Sequence, residues 1–363
     1  MDTVYFEQSI ASHPQTLRLL ERQSSARHIP IRRYTDVFNA AGQNFREQKA
    51  APALILAEKI GKRVLPTPPG YGIGGTRNYY FAHMLNCVYD CRYCFLQGMY
   101  RSAHHVVFVN FDDFFDDIEA TVAQSEQPSW FFSGYDCDSL ALDPLTGFVD
   151  AMLDRLANME KLRLELRTKS VQIRALLRRA ADPRVVVAFS LSPEAIVSAE
   201  EHGTPSLERR LDALQRLQAH GWLVGLRFDP VIASSDALRL YAEFFDQVFD
   251  ALDMSAVHSA TLGSFRLPRA FHNKLVRLYP DSRLLAAPMQ SRGDMVGYPA
   301  GLEQALLAFC RSRITSAMPA DTLFECATDL NELASTTRPT TKSTTRPATT
   351  QPTAPTTTTP ARS

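Results

Sequence analysis

Short runs rich in β-forming residues alternate with helix-period segments along most of this chain, and that alternation restricts its fold more than any other feature. Tyr79–Met84 leads into a cysteine-rich loop, and Val106–Val109 precedes an amphipathic stretch at Phe111–Ala123. Ser129–Ser133 is followed by a helical pattern near Leu145–Asn158, Leu162–Thr168 by Val171–Ala181, and Val185–Leu191 by Ser206–His220. Leu223–Phe228 with Ala237–Leu252, and Ala260–Phe265 with a helix from about Pro268, complete the series. Strands that alternate with helices pair in parallel through crossover connections, which predicts an α/β fold built on an open or closed barrel. Chemistry in such a fold gathers at the carboxyl ends of the strands, where the cysteine loop also falls.

That loop reads Asn86-Cys-Val-Tyr-Asp-Cys-Arg-Tyr-Cys-Phe-Leu96, so Cys87, Cys91 and Cys94 form a C-x3-C-x2-C triplet with the aromatic Tyr93 before its last member. Three thiolates on one short loop suit three irons of a [4Fe-4S] cluster and leave the fourth iron open to a non-protein ligand, S-adenosylmethionine (SAM). A structural zinc site wants four ligands, commonly as two separated pairs, and no second C-x2-C exists here. A thioredoxin-like pair of Cys91 and Cys94 would leave Cys87 unexplained. The triplet resembles the signature of the radical SAM superfamily, in which the position of Tyr93 lies against the adenine.

Several segments, in order, resemble the spore photoproduct lyase family, radical SAM enzymes that repair a UV-induced thymine lesion in DNA. They are Cys91-Arg-Tyr-Cys-Phe-Leu-Gln97, Leu164-Glu-Leu-Arg-Thr-Lys169, Val187-Ala-Phe-Ser-Leu-Ser192, Glu201-His-Gly-Thr-Pro-Ser-Leu-Glu-Arg-Arg210 and Gly221-Trp-Leu-Val-Gly-Leu-Arg-Phe-Asp-Pro230. The likeness extends over roughly residues 5–310. It implies a partial (β/α)6 TIM-like barrel that binds one [4Fe-4S] cluster and one SAM, acts on DNA carrying a thymine photolesion, and draws electrons from a donor such as flavodoxin or ferredoxin. By position, Lys169 and Ser190 match residues that hold the methionine end of SAM, and Tyr93 the adenine-side aromatic. Ser133 and Gly134 end the second barrel strand, where backbone groups meet the SAM amino group, and Asp138 matches a family acid. Arg227, inside a hydrophobic strand, needs an anionic partner: SAM, a lesion phosphate or a structural acid.

Two positions depart from the family. Where the lyases carry the cysteine that returns a hydrogen atom to the product radical, this chain has Tyr135, with Cys137 two residues on; where they carry a tyrosine after the third cluster cysteine, it has Phe95. Either Cys137 or Tyr135 takes over hydrogen return, or the reaction differs, and Cys137 is otherwise a small thiol filling the SAM pocket. A radical SAM enzyme acting on another lesion, nucleotide or small molecule therefore stays open, as does a non-catalytic metal-binding nucleic-acid module.

Outside this core, residues 1–75 predict an N-terminal extension packed on the barrel, helical near Thr16–Arg22 and Gln48–Ile60. They end in Pro66-Thr-Pro-Pro-Gly-Tyr-Gly-Ile-Gly-Gly75, read as a flexible connector because it precedes a strand where a dinucleotide loop would follow one. The barrel is expected over 76–315 and a connector over 316–335, before a disordered Thr/Pro/Arg-rich tail over 336–363. Acids and bases number 39 each, but the tail holds Arg338, Lys342, Arg346 and Arg362 without acids, so the body carries 35 bases against 39 acids. Nucleic-acid contact would then come from a local patch, such as Ser264-Phe-Arg-Leu-Pro-Arg269, or from the tail. Six cysteines, three of them scattered at Cys137, Cys310 and Cys326, do not resemble a disulfide framework and suggest a reducing, cytoplasmic setting. No apolar run is long enough to span a membrane, and no protein partner is legible. His83, His104 and His105 lack metal-ligand spacing, and Asp136 and Asp143 are acids that a polar loop carries in any case.

Overall fold

The computed structural model describes residues 1–326 except Pro69 and Asn158. Its main sheet has eight strands. Seven are parallel: β1 (Asn78–Phe81), β2 (Ser129–Ser133), β3 (Leu162–Thr168), β4 (Val185–Ser190), β5 (Leu223–Val231), β6 (Val257–Ser264) and β7 (Leu323–Glu325), in that spatial order. Val64–Pro66 pairs antiparallel to β1 at the far edge. The expected parallel architecture is present, and β7 adds a strand beyond six, within the stretch anticipated as a connector.

The sheet curls. Trp130 on β2 and His258 on β6 have ring centroids 5.6 Å apart, although four strand steps of about 4.8 Å would separate them by about 19 Å in a flat sheet. Side-chain alternation explains how the curl is filled. On β3, Leu162, Leu164 and Leu166 enter the main apolar core, while Glu165 and Arg167 point to the opposite face. There Glu165 reaches across β4 to bind Arg227 of β5.

The N-terminal segment differs from expectation. The helix predicted over Gln48–Ile60 is confined to Phe45–Ala50, and Leu54–Ala57 is a strand whose side chains are all buried. A short apolar run fits a buried strand or a buried helix equally well, and its two parallel neighbours decide the matter here. This second sheet runs in the order Arg27–Ile31, Thr3–Glu7, Leu54–Ala57, His105–Phe108, Met84–Leu85. Val106–Val109, expected to belong to the barrel series, thus pairs with the N-terminal strands instead. The glycine-bearing segment before β1 also does more than connect. A Cβ at Gly74 would lie 3.5 Å from the Phe324 ring of β7, so this segment bridges the first and last strands of the curled sheet.

Candidate active site

The cysteine loop begins at Asn86, a non-glycine residue at positive φ (73°). Its side-chain amide donates to the Ser102 and His104 carbonyls at 2.8 and 3.1 Å, and its carbonyl accepts from the Cys87 amide at 3.2 Å. These local bonds offset the cost of a left-handed backbone. Lys49 of the N-terminal segment donates to the Cys87 and Tyr89 carbonyls at 3.0 and 2.6 Å, and Gln97 donates to the Cys91 carbonyl at 2.7 Å. Replacing Lys49 with Met removes two charge-assisted hydrogen bonds, about 1.5–3 kcal/mol each. Iron content per chain after gel filtration is expected to fall in that variant, while far-UV circular dichroism stays native.

Cys87, Cys91 and Cys94 all line a cavity of about 130 Å3, together with Lys169, Ser190, Asp138 and Cys137. Three thiolates lining one cavity, with no fourth cysteine beside them in the loop, suit a [4Fe-4S] cluster, which takes one thiolate per iron. Burial pushes the Cys87 thiol up to about 12 and raises Cys91 and Cys94 too, so the ligands would lose their protons as iron binds.

A second cavity of about 260 Å3 adjoins the first, and Tyr93, Cys94, Phe95, Gly134, Tyr135, Arg167 and Lys169 line both. Gly134 has φ 88°, and a Cβ there would come within 2.7 Å of Ser139 Oγ and 2.8 Å of the Arg167 carbonyl, so only glycine fits where the backbone borders both cavities. The Ser133 side chain accepts from Ser139 Oγ at 3.0 Å and lines neither cavity. Asp138 ties its loop to the end of β3: it accepts from the Lys169 amide at 2.7 Å, Thr168 Oγ1 at 2.6 Å, and the Leu140 and Ala141 amides at 3.0 and 2.9 Å.

Of the three anionic partners open to Arg227, the structure shows the structural acid, Glu165, and not a cofactor contact. Arg227 does not line either cavity; it is fully buried, with Nη2 2.7 Å from Glu165 Oε2 and 3.1 Å from Ser259 Oγ, which satisfies its charge internally. Of Ser264–Arg269, all but Arg269 line the larger cavity, and Arg266 pairs with Asp229 at 3.1 Å. Cys137 packs in an apolar cluster with Val4, Leu54 and Met84 and borders the smaller cavity alone, while Tyr135 borders both. The histidines stay outside the site: His83 stacks on Phe148 with centroids 3.7 Å apart, and burial lowers it to about 3.

Residue patterns did not single out Glu201, which organises the cofactor side. Its carboxylate accepts from the Tyr93 hydroxyl, from Arg210 at 2.6 Å and from Ser192 Oγ at 3.2 Å, and stands 4.0 Å from Lys169 Nζ. Lys169 Nζ lies 5.6 Å from the centroid of the Tyr93 ring. Tyr71 was missed as well, because its connector carries no periodic signal; it lines the larger cavity under the Arg167 guanidinium, 5.1 Å from its centroid.

A C-x3-C-x2-C loop at the mouth of a curled parallel sheet, with an ammonium, a glycine backbone and an aromatic ring around it, defines a radical SAM enzyme. Within that class the chain belongs to the spore photoproduct lyase family, whose model matches residues 1–295. It is 22% identical over 291 residues to the spore photoproduct lyase of Geobacillus sp., covering 77% of this chain and 83% of that one. With the Bacillus subtilis lyase it shares 21% over 290 residues, again 77% and 83% of the two chains. With that of Clostridium acetobutylicum it shares 22% over 209 residues, 57% of this chain and 62% of the relative. A solved spore photoproduct lyase double mutant with bound AdoMet and dinucleoside spore photoproduct superposes with a TM-score of 0.77 at 20% identity, covering 90% of this chain and 98% of that one. Among the described residues no helix is long and apolar enough to cross a membrane.

Proposed function

We propose that this protein reverses a UV-induced thymine photolesion, the spore photoproduct, in DNA by radical SAM chemistry. The observation that carries this reading is the shared wall of the two cavities: Tyr93, Cys94, Gly134, Tyr135 and Lys169 line both, so the cysteine cavity and the larger cavity lie side by side. Cys87, Cys91 and Cys94 would hold a [4Fe-4S] cluster with SAM beside it, and together these would supply one-electron, hydrogen-abstracting chemistry to the adjoining cavity. The Lys169 ammonium would neutralise the SAM carboxylate, Ser190 would donate to it, the Gly134 backbone would meet the amino group, and Tyr93 would lie against the adenine. Asp138 holds the loop that presents Gly134. The larger cavity receives the lesion, extruded from the duplex so that its reactive C–H comes into contact range. Arg167 supplies a cation there, and Tyr71 and Phe271 supply apolar rings.

Hydrogen return falls to Tyr135 rather than Cys137, because Tyr135 borders the lesion cavity and Cys137 does not. Replacing Tyr135 with Phe is expected to lower the yield of intact dithymidine more than about tenfold, or 1.4 kcal/mol on the barrier, with 5′-deoxyadenosine still formed. Cys137→Ala should leave the product distribution unaltered. The cysteines, all unpaired among the described residues, suit a reducing cytoplasm and a flavodoxin- or ferredoxin-type donor.

A second reading, a radical SAM enzyme for another nucleotide or small molecule, is favoured by Tyr135 and Phe95 at the two departing positions. Incubating anaerobically reconstituted, reduced protein with SAM and the spore-photoproduct dinucleotide decides between them by mass spectrometry. Repaired dinucleotide establishes the lyase; 5′-deoxyadenosine without repair transfers the machinery to another substrate.

A further inference from the structure

A product radical in the larger cavity must collect a hydrogen atom from an X–H bond weak enough to give one, which means a thiol or a phenol. The described groups of that kind around it are few. Cys94 is assigned to iron, and the Tyr93 hydroxyl donates to Glu201. Tyr71 and Tyr135 remain, with ring centroids 5.7 Å apart. Tyr135 also contacts Phe95 at 5.8 Å and, more closely than either, Tyr80 of β1, at 4.5 Å between centroids with the rings inclined by 32°. Tyr80 lines neither cavity and is half-buried, so part of its side chain stays accessible. A phenol that borders the lesion is therefore backed by a phenol that does not.

We propose that Tyr80 is the relay that restores Tyr135 after each hydrogen transfer, and that SAM is consumed as a co-substrate. The inference rests on Tyr135 being the hydrogen source. The product carbon radical takes the hydrogen atom of the Tyr135 O–H, forming a C–H bond and leaving a phenoxyl radical. That radical takes an electron from the adjoining Tyr80 ring and a proton from water, while Tyr80 loses its own proton to water. The low-potential one-electron reductant that also serves the cluster then gives Tyr80 an electron, and water returns its proton. Each repaired lesion thus uses two electrons, one to cleave SAM and one to reset the tyrosines, with one net proton, and leaves one methionine and one 5′-deoxyadenosine. Ring contact at 4.5 Å makes the internal step short, and the accessible part of Tyr80 removes the need for a reductant inside the cavity.

The test uses the full reconstituted chain with SAM, dithionite and the spore-photoproduct dinucleotide, in H2O and in D2O. In the parent, 5′-deoxyadenosine and repaired dinucleotide are expected in a ratio near one, with solvent deuterium in the product. In Tyr80→Phe the first equivalent of repair should still form, but steady-state turnover should fall more than tenfold, and a tyrosyl radical signal should outlast that of the parent in freeze-quenched electron paramagnetic resonance. Tyr79→Phe, whose ring stacks on Phe131, controls for damage to β1 and should match the parent. Unaltered turnover and radical lifetime in Tyr80→Phe would overturn the relay, as would a 5′-deoxyadenosine ratio far below one. Normal repair by Tyr135→Phe would instead overturn the hydrogen source on which the relay rests.

Discussion

Glu201→Ala is expected to destabilise the protein by about 3–5 kcal/mol, because removing one member of a buried ion pair strands the other. Glu201 and Arg210 are both fully buried and 2.6 Å apart, and Lys169 stands 4.0 Å from the same carboxylate. Without Glu201 two cations would face each other in the core, and the Tyr93 hydroxyl would lose its acceptor. Urea unfolding of the iron-free chain measures the loss, and a change below 1 kcal/mol would mean that water or another acid replaces the carboxylate. The pH dependence follows the same pair. Burial opposes ionisation of Glu201, but Lys169 and Arg210 outweigh it and hold the carboxyl below its ordinary value. A depressed folded-state value stabilises above the unfolded pKa of about 4.3, and that stability disappears as pH falls through the folded value. Acid unfolding should therefore be steeper in the parent than in Glu201→Gln.

Lys169→Met is expected to weaken SAM binding by about 2–4 kcal/mol, roughly 30- to 700-fold in Kd. Lys169 is the one ammonium lining the cysteine cavity among the described residues, and a carboxylate bound there would lose its charged partner. Equilibrium binding of SAM to the reconstituted protein gives the ratio, and iron content should stay at the parent level because Lys169 is not a ligand. Unchanged affinity would move the methionine end of SAM elsewhere. Lys169→Arg keeps the charge but not its position, since Glu201 and the Tyr93 ring pack closely around the ammonium, and should recover only part of the affinity.

Much of this site was legible because its chemistry is local in sequence. Cys87, Cys91 and Cys94 occupy one loop, and their spacing is itself the donor set. Lys169 and Gly134 follow β3 and β2 directly, so finding the strands located their carboxyl ends. The partner of Arg227 was left open for the converse reason. A cation in an apolar strand announces that it needs an anion, but which anion depends on the neighbour across the sheet, and Glu165 lies 62 residues away. Glu201, Lys49 and Tyr71 belong to the same category: each acts through contacts with distant segments and breaks no local pattern.

The amino-acid sequence by itself determined the parallel α/β architecture and the cysteine triplet, since strand–helix periodicity and cysteine spacing are properties of neighbouring residues. It also set Tyr135 and Phe95 at the two positions where the resemblance implies a cysteine and a tyrosine. Only the tertiary structure decided that the N-terminal strands join His105–Phe108 in a second sheet and that the glycine-bearing connector reaches β7. It likewise set Tyr80 against Tyr135 and neutralised Arg227 internally. Those outcomes depend on which strands become neighbours when the sheet curls, and pairing between segments tens to hundreds of residues apart is set by burial and charge satisfaction over the whole molecule rather than by any local run of side chains.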